Sequence, residues 1–490
     1  MHHRFHTSIA VPLSVVLAAI ACALSSLNAA PAAGPLRRLT SNPRYFTDGS
    51  GKAIYLTGSH TWANFATDQG LSEPTASFDY PAFLDFLEAH HHNFFRGWMW
   101  DVPYSQQGLN GGPFRWGPFP WLRPGPELAT DGRPKFDLSR FDQAYFDRVR
   151  SRAIAARDRG VYVSIMLFQA YVWRFGRSDS DGFPFDGRNN INRLDAGSGH
   201  DAATLTVPAV TAVQEAYVRK LIDTVNDLDN VLYEIANEAG DYSTAWQYHM
   251  IDFIHNYERG KPKQHPVGMT AHYRGDGDLK ALLESPADWI SPNCFGEDVK
   301  NPPAADGRKV IIADSDHGYV WRLLKKDGLA GQQAWVWKNL LRGNQTLFMD
   351  PYLAKIAGPN AGRNTPEGTN PTEPYFGLTL DPYWDTIRSA LGRARVWAEK
   401  IDLAAMTPRN EVASTSYCLA KSGHEYLVYC PAEVKKFTVN LVAGTYMVEW
   451  YDPTAGKAGV AKSVEARDGS HDFAPPFEAD AVLFLKRDGR

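Results

Sequence analysis

Short apolar runs, rich in β-branched and aromatic residues, recur along most of this chain, and segments with helical spacing lie between them. The runs at 161–168 (VYVSIMLF), 231–236 (VLYEIA), 265–270, 288–291, 309–313 and 346–349 are too short for core helices. They read as buried strands with both faces covered, as in a parallel sheet. Between them, 210–228, 244–259, 277–284, 331–341 and 384–401 carry helical spacing. Upstream, 52–58 and 93–98 read as strands and 78–90 as a helix through Tyr80, Phe83, Leu84 and Leu87. A second helix is expected over 138–159, with Phe141, Tyr145, Phe146 and Val149 on one face and Gly160 closing it. Eight strand–helix units over roughly 350 residues is the count of an α/β (β/α)8 TIM barrel.

After Pro408 the texture changes to short alternating runs at 425–429, 436–441, 445–450 and 481–485, separated by turns such as the one at Pro453 to Gly456. That pattern predicts a small C-terminal antiparallel β-sandwich. The domains are therefore expected at 34–406 for the barrel and 407–490 for the sandwich. Residues 1–33 read as a signal peptide: His2, His3 and Arg4 give a basic start, 9–24 an apolar run, and 28–33 small residues for cleavage. Pro12 and Ser14 interrupt a run already short for a membrane span, so export to a periplasmic or secreted location is expected. A net charge of -4 gives no electrostatic reason to expect nucleic acid or an anionic membrane surface as partner. Nothing in the sequence sets an oligomeric state.

Of four cysteines, Cys22 leaves with the signal and Cys294 has no near neighbour in sequence. Cys418 and Cys430 flank a hairpin with its turn at Ser422-Gly423. Pairing Lys421 with His424 puts Cys418 opposite Leu427 and turns Cys430 to the other face. A gap on the order of 10 Å along the strand is too far for a disulfide.

Side chains at the carboxyl ends of barrel strands face the mouth, where chemistry sits. The fourth strand ends there in Asn237-Glu238. A carboxylate beside an amide able to bind a sugar hydroxyl suits glycosidic acid/base work. The plainer reading is a Glu that caps the next helix or pairs with an Arg. The seventh strand ends in Asp314-Ser315-Asp316-His317. Two acids two residues apart point the same way on an extended chain. A hydrogen-bonded loop or a cation site is the alternative there, but no further ligands suggest themselves, and His90-His91-His92 straddles a helix end and solvent. Neither a metal nor a cofactor is expected. His60 and Trp62 follow strand one, Trp98, Trp100 and Asp101 strand two, and Gln169 and Tyr171 strand three. His272 and Tyr273 follow strand five, Asn293 strand six, and Trp321 the seventh-strand motif. Singly each suits packing; as a ring, in a chain with 14 Trp and 22 Tyr, they are the expected lining of a sugar cleft. Arg96 stands out, because a buried Arg is costly unless a carboxylate meets it.

These residues resemble a clan A glycoside hydrolase, with Asn237-Glu238 matching the acid/base signature and Arg96 the Arg that supports the nucleophile. More narrowly, the chain resembles bacterial apiosidase-like glycosidases. Asp314 to His317 matches their seventh-strand motif, 391–408 their junction, and 426–429 with 450–456 their collagen-binding-type sandwich. The resemblance implies Glu238 as acid/base and Asp314 as nucleophile, with Asp316 as second candidate and His317 orienting one of them. Arg96 and Asn237 would hold charge and the neighbouring hydroxyl. Most clan members carry Glu at the seventh strand; an Asp is shorter, and a carboxyl separation of ~6.5–9.5 Å would favour inversion over the retaining route. The implied activity is an exported O-glycoside hydrolase, retaining, acting on a plant or microbial poly- or oligosaccharide, with apiosyl and arabinofuranosyl linkages as the analogy's furanosides. The sandwich is expected to brace the barrel, binding of glycan or matrix protein being its second role. A non-catalytic glycan- or collagen-binding protein is the competing class.

Overall fold

The computed structural model describes residues 30–61, 64–70, 77–105, 114–173, 181–197, 199–273, 279–292, 297–316, 327–350 and 384–489. Eight strands form one parallel sheet: β1 (Thr57–His60), β2 (Phe94–Trp98), β3 (Tyr162–Phe168), β4 (Val231–Ala236), β5 (Val267–Thr270), β6 (Trp289–Ser291), β7 (Val310–Asp314) and β8 (Gln345–Met349). Each is followed by a helix: α1 (Tyr80–Ala89), α2 (Gln143–Asp158), α3 (Pro208–Val225), α4 (Thr244–Glu258), α5 (Leu279–Glu284), the one-turn α6 (Glu297–Lys300), α7 (Gly328–Leu341) and α8 (Asp385–Lys400). Neighbouring strands pair from β2 through β8, and β8 pairs with β1 from Thr346↔Thr57 to Met349↔His60. Asn93 bridges the remaining seam between β1 and β2. Its side chain accepts from the Thr57 amide and donates to the Tyr55 carbonyl, both at 3.0 Å, while its own amide donates to the Thr57 carbonyl at 3.0 Å. Gly58 permits the approach, since a Cβ there would collide with the Phe94 carbonyl oxygen. The result is a (β/α)8 barrel.

Local chemistry sets the helix starts. Asp79 caps α1 through the Ala82 amide at 3.0 Å, with Pro81 in the first turn, and Asp142 caps α2 through the Ala144 amide at 3.1 Å. The second cap corrects the expectation for 138–159. Asp137–Phe141 forms a strand against Trp121–Leu122, so only the part beyond Asp142 is helical. A pairing distant in sequence takes residues that helical periodicity alone would have claimed.

The C-terminal region is an antiparallel sheet built on β9 (Cys418–Lys421), β10 (Glu425–Cys430), β12 (Gly444–Asp452), β13 (Lys462–Ala466) and β15 (Ala481–Arg487), with β11 (Phe437–Leu441) and β14 (Gly469–Phe473) forming a separate ribbon. Strand alternation gives the larger sheet two buried faces. Tyr426, Val428, Leu483 and Leu485 share a core with Phe437, Val439 and Leu441 of the ribbon. Leu419, Leu427, Tyr429, Val482 and Phe484 instead share a core with Trp335, Trp337, Ala394 and Trp397 of α7 and α8. Gln333 donates across this boundary to Thr454 Oγ1 at 3.0 Å, and Arg393 to the Pro453 carbonyl at 2.7 Å. The sandwich and the barrel therefore share one core.

The hairpin register differs from expectation by one residue. Lys421 pairs with Glu425 and Cys418 with Val428, because the turn takes Ser422, Gly423 and His424, with Gly423 at φ 78°. Cys418 and Cys430 consequently share a face, and both are buried free thiols. Burial pushes the Cys430 thiol up to about 12.

Ala32 is buried on the barrel floor, its amide donating to the Arg157 carbonyl at 2.8 Å, and Tyr162 donates to the Ala33 carbonyl at 2.7 Å. Processing after residue 33 would remove both contacts. Within the His90-His91-His92 run, His91 is exposed, whereas His92 is buried against the Arg388 carbonyl at 3.0 Å. Burial depresses its pKa to about 3. No helix among the described residues is long and apolar enough to cross a membrane.

Candidate active site

The fully buried guanidinium of Arg96, midway along β2, organises the barrel mouth. Its Nε donates to Glu234 Oε2 at 2.9 Å, and Nη1 donates to Asp316 Oδ2 at 3.2 Å. The same Nη1 lies 3.2 Å from Asp314 Oδ2. Three strands thus send charge to one point, which parallel strands sharing one lumen bring about without any nearness in sequence.

Asp314 is the last residue of β7 and is completely buried. His60 Nε2, from the end of β1, stands 3.1 Å from its Oδ1, and the Asp316 amide donates to that oxygen at 2.9 Å. The two aspartates do converge, but through a turn closed on the Asp314 side chain rather than through strand alternation. Of the three acids on Arg96, Asp316 alone keeps some side-chain exposure, at 12% against 0% for Asp314 and Glu234.

One guanidinium facing three carboxylates cannot neutralise them all. Burial, with repulsion from Asp314 next, pushes the Asp316 carboxyl up to about 6. Burial pushes Glu234 up to about 7, against the opposing pull of Arg96. For Arg96, burial works against the charge, but the carboxylates, Glu234 foremost, outweigh it and hold the guanidinium protonated.

Glu238 and Asn237 emerge from the end of β4 on this same rim. Glu238 has φ +47°, unusual for a residue with a Cβ. Such a conformation costs on the order of 1–3 kcal/mol and persists only where neighbours over-determine it. Here the Asn237 amide donates to the Phe168 carbonyl at 3.0 Å and the Tyr273 amide to the Ala239 carbonyl at 3.0 Å, so the elbow is tied down on both sides. Asn237 also donates to Gln169 Oε1 at 3.1 Å.

The remaining expected lining divides. Gln169, His272 and Asp101 are buried at the strand ends, with His272 Nε2 3.2 Å from Thr244 Oγ1 and Tyr273 half-buried beside it. Tyr171 is also half-buried, in a short helix after β3. Burial pushes the Asp101 carboxyl up to about 7, opposed by the Trp173 indole N–H at 3.3 Å. Trp98 and Trp100, expected as sugar platforms, are buried instead. Trp98 stacks on Trp100 at 5.8 Å and Trp100 on Trp116 at 4.1 Å, so their faces are spent on one another. Trp62, Asn293, His317 and Trp321 lie outside the described residues. Among the described residues no group of three or more His, Cys, Asp or Glu side chains is arranged to hold a metal ion.

Sequence reasoning passed over Glu234 as a site residue. The signal was present, since a carboxylate inside a strand buried at every position demands a cation, and Arg96 was the cation in want of an anion.

Comparison with known proteins gives the class of fold. A solved structure described as "Glycoside hydrolase" superimposes over 93% of this chain and 98% of its own, at 12% identity and a TM-score of 0.57. A glycoside hydrolase family 5 structure from Bacteroides vulgatus ATCC 8482 does so over 94% and 96%, at 12% identity and a TM-score of 0.54. The chain has the fold of these proteins along nearly its whole length. More particularly, residues 405–486 match the family model described as "Putative collagen-binding domain of a collagenase". No curated protein sequence matches the chain.

Proposed function

We propose that this protein is a retaining O-glycoside hydrolase in which Glu238 is the acid/base and an aspartate at the carboxyl end of β7 or in the turn just after it, Asp314 or Asp316, the nucleophile. The observation that carries the reading is the convergence of Arg96, Asp314 and Asp316 on the rim that also bears the strained Glu238. Between the aspartates, exposure favours Asp316. Asp314 accepts from His60 and the Asp316 amide and lies against Arg96, which suits a support, while Asp316 retains an approach for substrate. Glu238 would protonate the leaving oxygen and then deprotonate water. Asp316 would attack the anomeric carbon, its charge held by Arg96. The glycoside hydrolases of like fold support the reaction class. A plant or microbial poly- or oligosaccharide, with apiosyl or arabinofuranosyl linkages, is the proposed substrate, met after export. The core shared between sandwich and barrel favours bracing as the sandwich's role.

The test is a screen of aryl glycosides followed by NMR of the first-formed anomer. Retention is expected; inversion would remove the aspartate from the role of nucleophile. The pH profile follows from the same assignment. Asp316 must be ionised to attack, and its carboxyl is pushed up to about 6, so kcat/KM should fall as pH drops through that region. A kcat/KM profile that stays flat from about pH 5 to 7 would contradict the assignment.

A further inference from the structure

Trp98 carries a hydrogen bond that packing alone does not require. Its indole Nε1–H, from the end of β2, donates to His60 Nδ1 at 2.9 Å. An indole nitrogen can only donate, so His60 Nδ1 must present a lone pair. A ring with a bare Nδ1 is neutral and carries its single proton on Nε2. That proton points at Asp314 Oδ1, 3.1 Å away, so the contact is a hydrogen bond from a neutral imidazole rather than an ion pair. In the other tautomer two N–H groups would face each other on one side of the ring and two lone pairs on the other.

The indole has little freedom to release this constraint. Trp98 is buried, its backbone amide donates to Asn64 Oδ1 at 3.1 Å, and its ring lies on Trp100 with an interplanar angle of 21°. Downstream, the Asp314 Oδ1 that accepts the His60 Nε2–H hydrogen bond also accepts from the Asp316 amide. We propose that Trp98 is a positioning residue, fixing His60 as a neutral Nε2–H donor and thereby, through Asp314, holding the turn that presents the Asp316 carboxyl. This rests on the reading of Asp316 above.

The test uses full-length protein labelled with 15N-histidine, comparing wild type with Trp98→Phe. A second variant carries benzothienylalanine at position 98, which keeps the bicyclic ring and lacks the N–H. His60 is assigned by its loss in His60→Gln. At neutral pH the wild-type spectrum should show His60 protonated on Nε2 alone, and both position-98 variants should show mixed tautomers or an imidazolium. With the glycoside identified by screening, kcat should fall about tenfold with KM unchanged, the equivalent of about 1.4 kcal/mol. The proposal is overturned by a wild-type proton on Nδ1, by an unaltered tautomer in the folded benzothienyl variant, or by kcat equal to wild type in that variant. The tautomer spectrum is read without substrate. A failed hydrolase reading would therefore appear as absent turnover with the spectrum as described, distinct from a failed lock.

Discussion

Arg96→Met is expected to destabilise the barrel by about 3–5 kcal/mol at neutral pH, the usual cost of removing one partner from a buried ion pair. Met fills much of the same volume, so the loss reports charge more than cavity. Glu234, Asp314 and Asp316 would be left without their shared guanidinium. The cost should depend on pH with a definite sign. Glu234 and Asp316 already have raised pKa values in the folded protein, to about 7 and about 6. Raised carboxyl values mean that the folded state holds protons more tightly than the unfolded state, and loss of Arg96 raises them further. The penalty is therefore full where these groups would be ionised and shrinks as pH falls through and below those values. Urea unfolding at about pH 8 and about pH 5 checks this, and a destabilisation equal at both would mean that the cluster is not coupled as described.

The second large effect separates the two aspartates. Asp316→Asn should lower kcat by at least about 10³ with the fold intact, because the amide cannot form the covalent intermediate and Asp316 keeps some side-chain exposure. Asp314→Asn should show the opposite balance. It removes the charge facing Arg96 and weakens the acceptor shared by His60 and the Asp316 amide. About 1.5–3 kcal/mol of stability should go, with a smaller fall in kcat. Initial rates and unfolding midpoints measured on both variants decide the matter. A dead, well-folded Asp314→Asn beside an active Asp316→Asn would exchange their roles.

Much of the architecture was legible because parallel strands buried on both faces leave a strong mark. Val231–Ala236 is the element the apolar run marks out, and the other barrel strands lie within a few residues of theirs. Where local pattern met tertiary pairing, pattern lost. The stretch Asp137–Phe141 has helical spacing into α2, yet pairs with Trp121–Leu122. The Cys418 register slipped by one because the turn takes three residues, a choice made by Gly423 in the left-handed region. In the site, Arg96 announced its need for a carboxylate, but which acids would answer depended on the lumen shared by β2, β4 and β7. The rings of Trp98 and Trp100 show the converse limit. A Trp at a strand end has the same letter whether it meets a sugar or another indole, and here stacking on Trp116 decides.

The proposed hydrolysis depends above all on Glu238 acting across the barrel mouth from Asp314 and Asp316 at the end of β7. Its most direct test is the initial rate of glycoside hydrolysis by wild type and by Glu238→Gln, measured on a poor leaving group that needs protonation. Loss of the general acid should lower kcat by about 10²–10⁴ while the unfolding midpoint stays in place. Undiminished hydrolysis by a folded Glu238→Gln, or no hydrolysis of any glycoside by wild type, would contradict it.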